Sequence, residues 1–266
     1  LFHIGCPLPL HLKYCIRQII KTNPGKKIYL ITDADTDVSG VHIIHIDHLT
    51  IPDIGDYFKY DPMGILFRNA MLRQFYLEAF MLQYNVENVI HFDNDILLYE
   101  NVDNISDELV KYNFMITPHN DTQYVFGFSY IKNYRSWRQI NTYMLQLIHI
   151  ERKTLDEIVG HMAHEMRLLN YINNIHGNKL MEMLPVCPVS AGSYNFEKFN
   201  LCFDPSSYGQ ILGGAIPEIH KYIGCSVLQK FIKVKFENKK PVVRTKYGEF
   251  KIFNLHVHNK KLENFI

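Results

Sequence analysis

The hydrophobic pattern changes period repeatedly along this chain. Residues 9–22, PLHLKYCIRQIIKT, place apolar side chains at helical spacing and stop at Asn23-Pro24-Gly25, a helix terminator. Short β-branched runs follow at 27–32, KIYLIT, and at 41–46, VHIIHI, each of strand length. A loop rich in Asp, Pro and Gly over 47–63 leads into 64–84, GILFRNAMLRQFYLEAFMLQY, which is apolar on most faces and is predicted as a largely buried helix. A strand is predicted at 89–92, with others at 113–117 and 124–131, and helical patterns cover 135–150 and 154–173. The tail reads as antiparallel strands, FIKVKFE, PVVRTKY and EFKIFNLHVH, with turns at NKK and YGE.

Strand alternating with helix predicts an α/β sandwich with a mainly parallel sheet, followed by an antiparallel C-terminal hairpin. The 266 residues suit one large domain, and neither an internal repeat nor an interdomain linker divides them. Hydrophobic residues make up 47% and charged residues 21%, an ordinary globular balance. A net charge of +1 provides no global field for nucleic acid. The charge is uneven, since residues 230–266 hold ten Lys or Arg against three Glu. Five dispersed cysteines, Cys6, Cys15, Cys187, Cys202 and Cys225, form no C-x-x-C pair; a cytoplasmic compartment is the expectation. No apolar run is long enough to span a bilayer. The chain begins at Leu1, which leaves room for a preceding segment or a neighbouring domain.

The chemistry concentrates at the end of the strand at 89–92. Asp93-Asn94-Asp95 follows a buried strand, and ILLY resumes without Gly or Pro. In open α/β sheets ligands bind outside the carboxyl ends of the strands. Two carboxylates there either form an ordinary turn or hold a hard divalent cation through oxygen. Asp33-Ala34-Asp35-Thr36-Asp37 is no calcium loop, because Val38 stands where Gly is needed and Ile44 where Glu is needed. Asp33 ends a strand and can accept a hydrogen bond from a ligand; Asp35 and Asp37 read as solvated turn residues. Arg73 sits in the apolar helix and needs an anionic partner, internal or bound.

The tail adds a second constellation. His256 and His258 fall on one face of a strand by period two, with Lys260 and Lys261 directly after. Imidazole can complete a metal shell and Lys can neutralise phosphate; two structural histidines on a basic hairpin are the competing reading. FDPSSYGQILGG, residues 203–214, lacks G-K-[ST] and is no P-loop; it reads as a loop–helix turn with close backbone approach at Gly213-Gly214. His161, His164 and Glu165 lie close together on a helical segment, but not as H-E-x-x-H, so a zinc protease is excluded.

In this order, FHIG, IYLITD, MLRQFYLEAFM with NVENVIHFDNDILLY, FGFSYIKN, HEMRLLNYI and NLHVHNK resemble nucleotide-sugar-dependent glycosyltransferases of the GT-A fold. The likeness is to the glycogenin-like and galactosyltransferase-like branch and to related bacterial and large-virus polysaccharide enzymes, over nearly the whole chain. It implies a Rossmann-like α/β/α sandwich in which 1–120 form a nucleotide-binding half and 121–266 an acceptor and sugar half. It implies transfer of a sugar from a nucleoside-diphosphate sugar, a UDP-sugar foremost, to a glycan or other hydroxyl acceptor, with Mn²⁺ or Mg²⁺ as cofactor. By the same resemblance Ile4, Gly5, Asp33, Arg73, Asp93, Asn94, Gly127, Asn259 and Lys260 contact the donor. Asp95 is the direct metal ligand, Asp93 reaches ribose or the metal through water, and His256 or His258 completes the shell. Glu165 and Asp204 are the candidate catalytic carboxylates.

The sequence departs from this family in two places. The fuller C-terminal signature His-x-x-Gly-x-x-Lys-Pro-Trp is absent, and Glu165 stands where relatives more often show Asp. Two other classes stay in view, a metal-dependent sugar nucleotidyltransferase and a non-catalytic carbohydrate-binding module. The first normally carries a Gly-rich basic loop after its first strand, where this chain has HIGCPLPLHL.

Overall fold

In the computed structural model of the chain, residues 1–5, 7–54, 64–160, 162–187, 195–216 and 232–266 are described. Cys6, Cys225, His161 and the second half of the predicted loop at 47–63 lie outside the described residues. The order of elements is β1 (Phe2–His3), α1 (Leu10–Thr22), β2 (Tyr29–Thr32), β3 (His42–His45), α2 (Gly64–Gln83), β4 (Val89–Phe92) and β5 (Ile96–Leu98). Then come α3 (Asp103–Leu109), β6 (Phe114–Asn120), β7 (Gln123–Ile131), α4 (Tyr134–Ile148), α5 (Arg152–Ile158), α6 (Glu165–Ile175), β8 (Glu182–Met183) and α7 (Phe196–Phe199). The tail holds β9 (Lys233–Glu237), β10 (Lys240–Thr245), β11 (Gly248–Lys251) and β12 (Asn254–His256). The result is a mixed α/β fold with a parallel sheet and antiparallel hairpins.

The contacts divide the chain into two interleaved units. The first comprises Leu1–Pro7, Ile28–His91 and Tyr112–Glu182; the second comprises Leu8–Lys27, Phe92–Lys111 and Met183–Ile266.

In the first unit β1, β2 and β3 form a parallel sheet with β2 in the middle. Parallel strands are usually covered on both faces, and β2 is buried accordingly through Leu30, Ile31 and Thr32. Helix α2 lies against this sheet: Phe80 packs on Tyr29 and Tyr76 stacks on Phe2. Its sequence favours a long helix because Leu, Met, Ala, Gln and Glu lose little rotamer freedom there. It ends where Asn85 takes a left-handed conformation, φ 50°, while Val86 donates back to Met81 O. A second sheet has the order β4-β7-β6-β8, with β4 and β8 each running to a border of the unit. On it His91 and Trp137 stack on Phe126, and Trp137 Nε1 donates to Gln74 O. The continuous helix expected over 154–173 is instead α5 and α6. Gly160 breaks it with φ 73°, a conformation in which Gly avoids the Cβ clash.

In the second unit α1 buries Leu12, Cys15, Ile16 and Ile19, the i, i+3, i+4, i+7 stripe read from the sequence. Its Gln18 reaches Leu98 O on β5. The meander β9-β10-β11 turns first at Asn238 and Lys239, both with positive φ as a two-residue type I′ hairpin requires. The single strand expected across EFKIFNLHVH breaks at Ile252 and Phe253, where both side chains are buried and polar–apolar alternation fails. Beyond the break β12 leaves the meander and pairs antiparallel with β5, with His256 opposite Ile96. Among the described residues no helix is long and apolar enough to cross a membrane.

Candidate metal and diphosphate site

The chain changes sheets at the Asp pair: β4 belongs to one sheet, β5 to another, and Asp93, Asn94 and Asp95 make the turn between. Ile96 N donates to Asp93 O across that turn at 3.1 Å. Turn and ligand readings are therefore compatible, because the turn is what presents the second carboxylate. The register of β12 on β5 then brings the tail to it. Val257 N donates to Asp95 O at 3.0 Å, one step beyond the His256–Ile96 pair.

Side chains converge at this point. His256 Nε2 lies 3.1 Å from Asp95 Oδ1, and the Lys260 amine reaches Asp95 Oδ2. Asp95, His256 and His258 each offer a ligand atom within 4.8 Å of the others. The two imidazoles stack with ring centres 4.2 Å apart. His258 lies beyond the end of β12 rather than within a strand, and Ser206 fixes it: the hydroxyl and Nε2 are 2.9 Å apart. Lys260 adopts φ 63°, a left-handed turn that aims its side chain back at the carboxylate. Asn259 is clasped to the preceding turn, its Nδ2 donating to Gly213 O and its N to Gly214 O.

Charge explains the cluster. Burial pushes the Asp95 carboxyl toward protonation, but the charges of His256 and Lys260 outweigh it and hold the group well below the usual carboxylate range. Burial likewise pulls His256 down, and the Asp95 and Asp93 carboxylates more than reverse this, so its proton is held more tightly than usual. The field of Asp93 thus reaches the histidine. Asn94 Oδ1 bonds the His11 ring at 3.1 Å.

The turn that carries Ser206 is held by Asp204. Its Oδ1 accepts from Ser207 N and Tyr208 N, and its Oδ2 from Gly209 N and His256 N, all at 2.7–2.9 Å. Asp204 is 2% exposed, so these four donors replace the water a carboxylate would otherwise bind. Close backbone approach was expected at Gly213-Gly214. It is found at Gly214, where a Cβ would lie 2.7 Å from Gly209 O, and it is closer still at Gly209, where a Cβ would lie 2.1 Å from His256 O.

The remaining sequence-predicted residues belong to the first unit and fall in two groups. Gly5, φ 103°, donates its N–H to both oxygens of Asp33 at 3.0 Å, which joins Ile4, Gly5 and Asp33 at the carboxyl ends of β1 and β2. Asp35 and Asp37 are exposed, as read, in the irregular stretch between β2 and β3. The second group is an ion pair: Arg73 on α2 donates to Glu165 Oε1 on α6 at 2.6 Å, with the guanidinium over the Phe126 ring. Gly127 lies one residue along β7, inside a stretch where the register with β6 slips between Ile116 and Thr117. Ser206, Gly209 and the capping role of Asp204 were not anticipated. Asp ahead of a short helical turn in DPSSYG is an N-cap signal that could have found the last.

No family model and no curated protein matches the chain. Among solved structures it is similar to galactosyltransferase LgtC in complex with donor and acceptor sugar analogs, with TM-score 0.37 and 10% identity over 66% of this chain and 69% of that one. It is similar to the glycosyltransferase GlyE of Streptococcus pneumoniae TIGR4, with TM-score 0.47 and 13% identity over 96% of this chain and 53% of that one. It is similar to the PaToxG glycosyltransferase, with TM-score 0.37 and 12% identity over 65% of this chain and 66% of that one. These three solved structures are glycosyltransferases.

Proposed function

We propose that this chain is a metal-dependent glycosyltransferase that moves a sugar from a nucleoside-diphosphate sugar, a UDP-sugar foremost, to a hydroxyl acceptor. The observation that carries the reading is the convergence of Asp95, His256 and His258 with Lys260 on the same carboxylate. One carboxylate oxygen and two imidazoles suit Mn²⁺ or Mg²⁺ less specifically than an all-oxygen cage, and Mn²⁺ better than Mg²⁺. The fit is supported by an orphaned buried atom: His256 Nδ1 is buried without a hydrogen-bond partner among the described residues. A divalent ion held there supplies Lewis-acid stabilisation to a departing diphosphate.

The chain's own residues account for the rest. His256 and His258 would hold the ion as neutral imidazoles, beside the charged Asp95 carboxylate. Asp95 keeps its charge. Lys260 is half exposed and sits on a long flexible stem, so it can leave Asp95 and place its ammonium on a diphosphate oxygen. Ile4, Gly5, Asp33, Arg73, Asn94, Gly127 and Asn259 are proposed as donor contacts, on the resemblance stated above, and Asp93 as a ribose or water-mediated metal contact. For an inverting reaction Glu165, oriented by Arg73, is the carboxylate proposed to accept the acceptor proton.

One observation favours a second reading. Asp95 is already neutralised by His256 and Lys260, so the cluster can also stand as a self-contained ion network in a non-catalytic module. UDP release from a panel of UDP-sugars, with Mn²⁺ or with EDTA, separates the two. The enzyme reading expects release in Mn²⁺, none in EDTA, and none from an Asp95→Asn variant that keeps its circular dichroism. Release that persists in that variant contradicts the assignment of the site.

A further inference from the structure

The two histidines of the cluster lie in and just after β12, a strand of only three residues that must be held by its neighbours. Pairing with β5 ties only one edge of β12. The other edge is closed by residues 204–209, and they close it twice. Asp204 Oδ2 takes the His256 N–H at 2.9 Å, and Gly209 lies so close to the His256 carbonyl that no side chain fits between. Ser206, one turn position away, takes the His258 ring. Asp204 is anchored on two sides: Phe203 N donates to Pro185 O and Cys202 pairs with Ile252 just before it, while β12 itself holds it through Asn254 Oδ1, which takes the Asp204 N–H at 3.4 Å.

We infer that Asp204 is the positioning residue for His256, acting through the main chain, and not a proton acceptor in the reaction. The inference deepens the metal reading and rests on it. Its logic is geometric. Both oxygens of Asp204 are committed to backbone donors inside the protein. A base needs a lone pair facing substrate, and this carboxylate spends its lone pairs on fixing the angle at which the short turn meets β12. What it fixes is the carrier of one metal-ligand candidate directly, and of the other through Ser206.

The substitution that isolates this is Asp204→Asn. An amide keeps the shape of the carboxylate and can still accept from Ser207 and Tyr208. Its NH₂ then faces the N–H groups of Gly209 and His256, donor against donor, and the link to β12 is lost. Asp204→Ser is the second variant. A hydroxyl caps a helical turn nearly as well as a carboxylate, but it is too short to reach His256. Gly209→Ala attacks the same contact from the other side, since its Cβ must displace the His256 carbonyl.

The test is Mn²⁺ titration of the full chain, followed by spin resonance of the free ion, alongside UDP release at increasing Mn²⁺. Circular dichroism establishes that each protein is folded. Outer partners of metal ligands are worth about 10–100-fold in affinity. Asp204→Asn and Asp204→Ser are both expected to weaken Mn²⁺ by about tenfold or more, and the lost UDP release is expected to return as Mn²⁺ is raised. Amide exchange at His256 is expected to quicken in both variants without any metal present. Unchanged Mn²⁺ affinity with release that no amount of Mn²⁺ restores would overturn the inference and make Asp204 a base. Unchanged affinity with unchanged release would overturn it too and leave only a helix cap. Wild-type protein that binds no Mn²⁺ fails at an earlier step and overturns the metal reading together with the role inferred from it.

Discussion

Two buried carboxylates in this chain are neutralised in different ways. Glu165, in the first unit, meets Arg73, whose side chain is 13% exposed and lies over an aromatic ring. Asp95, in the second unit, meets Lys260, whose side chain is 46% exposed and hangs from a left-handed turn near the chain end. The first partner has nowhere to go, and removing it strands a charge in the interior. The second can swing into water and free Asp95 Oδ2, while Oδ1 keeps His256 and His258 lies beside it. A partner that can leave frees its carboxylate for a bound ion, whereas a fixed partner holds its carboxylate in one orientation.

The comparison breaks most visibly at Arg73. Arg73→Ala is expected to lose about 3–5 kcal/mol of stability, because an uncompensated buried carboxylate remains. Urea unfolding measures it, and a double variant, Arg73→Met with Glu165→Leu, is expected to recover most of the loss. A loss below about 1 kcal/mol would mean that Glu165 is better solvated than its burial implies.

Lys260 sharpens the other half. Lys260→Met is expected to change stability by at most about 1 kcal/mol, because the lysine is half exposed and Asp95 keeps His256 as a partner. Its effects on ligands are expected to have opposite signs. With the ammonium gone from Asp95, Mn²⁺ alone binds about tenfold more tightly, while UDP in saturating Mn²⁺ binds about tenfold more weakly, within the usual range of site-to-site coupling. Calorimetry reads both. Equal shifts of the same sign would deny Lys260 its two roles. The smallest effect is expected at Lys240, an exposed residue that opens β10 and pairs with Glu100 at 2.8 Å: Lys240→Ala stays within about 0.5 kcal/mol by thermal unfolding.

The contrast between these carboxylates was partly legible beforehand. Arg73 inside an apolar helix demands an anion, and Asp95 at a strand end invites a cation; both follow from burial alone. Strand β4 begins and ends where the pattern places it, since its apolar run is bounded by polar residues on both sides. The tail was harder. KIFNLHVH keeps its apolar character throughout, and the lapse of alternation at Ile252-Phe253 marks a break without telling that β12 leaves the meander for β5. The histidines were read as sharing a strand face, and it is the register against Ile96 and a serine fifty-two residues back in the chain that bring them to Asp95. The role of Asp204 was the least legible. DPSSYG signals its cap on the following turn, but the His256 N–H it also holds is a backbone group, which every residue but proline carries, and that link leaves no mark in a sequence.

The central claim is that Asp95, His256 and His258 bind a divalent ion. Calorimetric titration of the metal-free chain with Mn²⁺ tests it without reference to any substrate. The account predicts one site, with binding lost in Asp95→Asn and weakened in His256→Ala, and tightened in wild type when UDP is present. Absence of Mn²⁺ binding by the folded wild-type chain, with and without UDP, would contradict it.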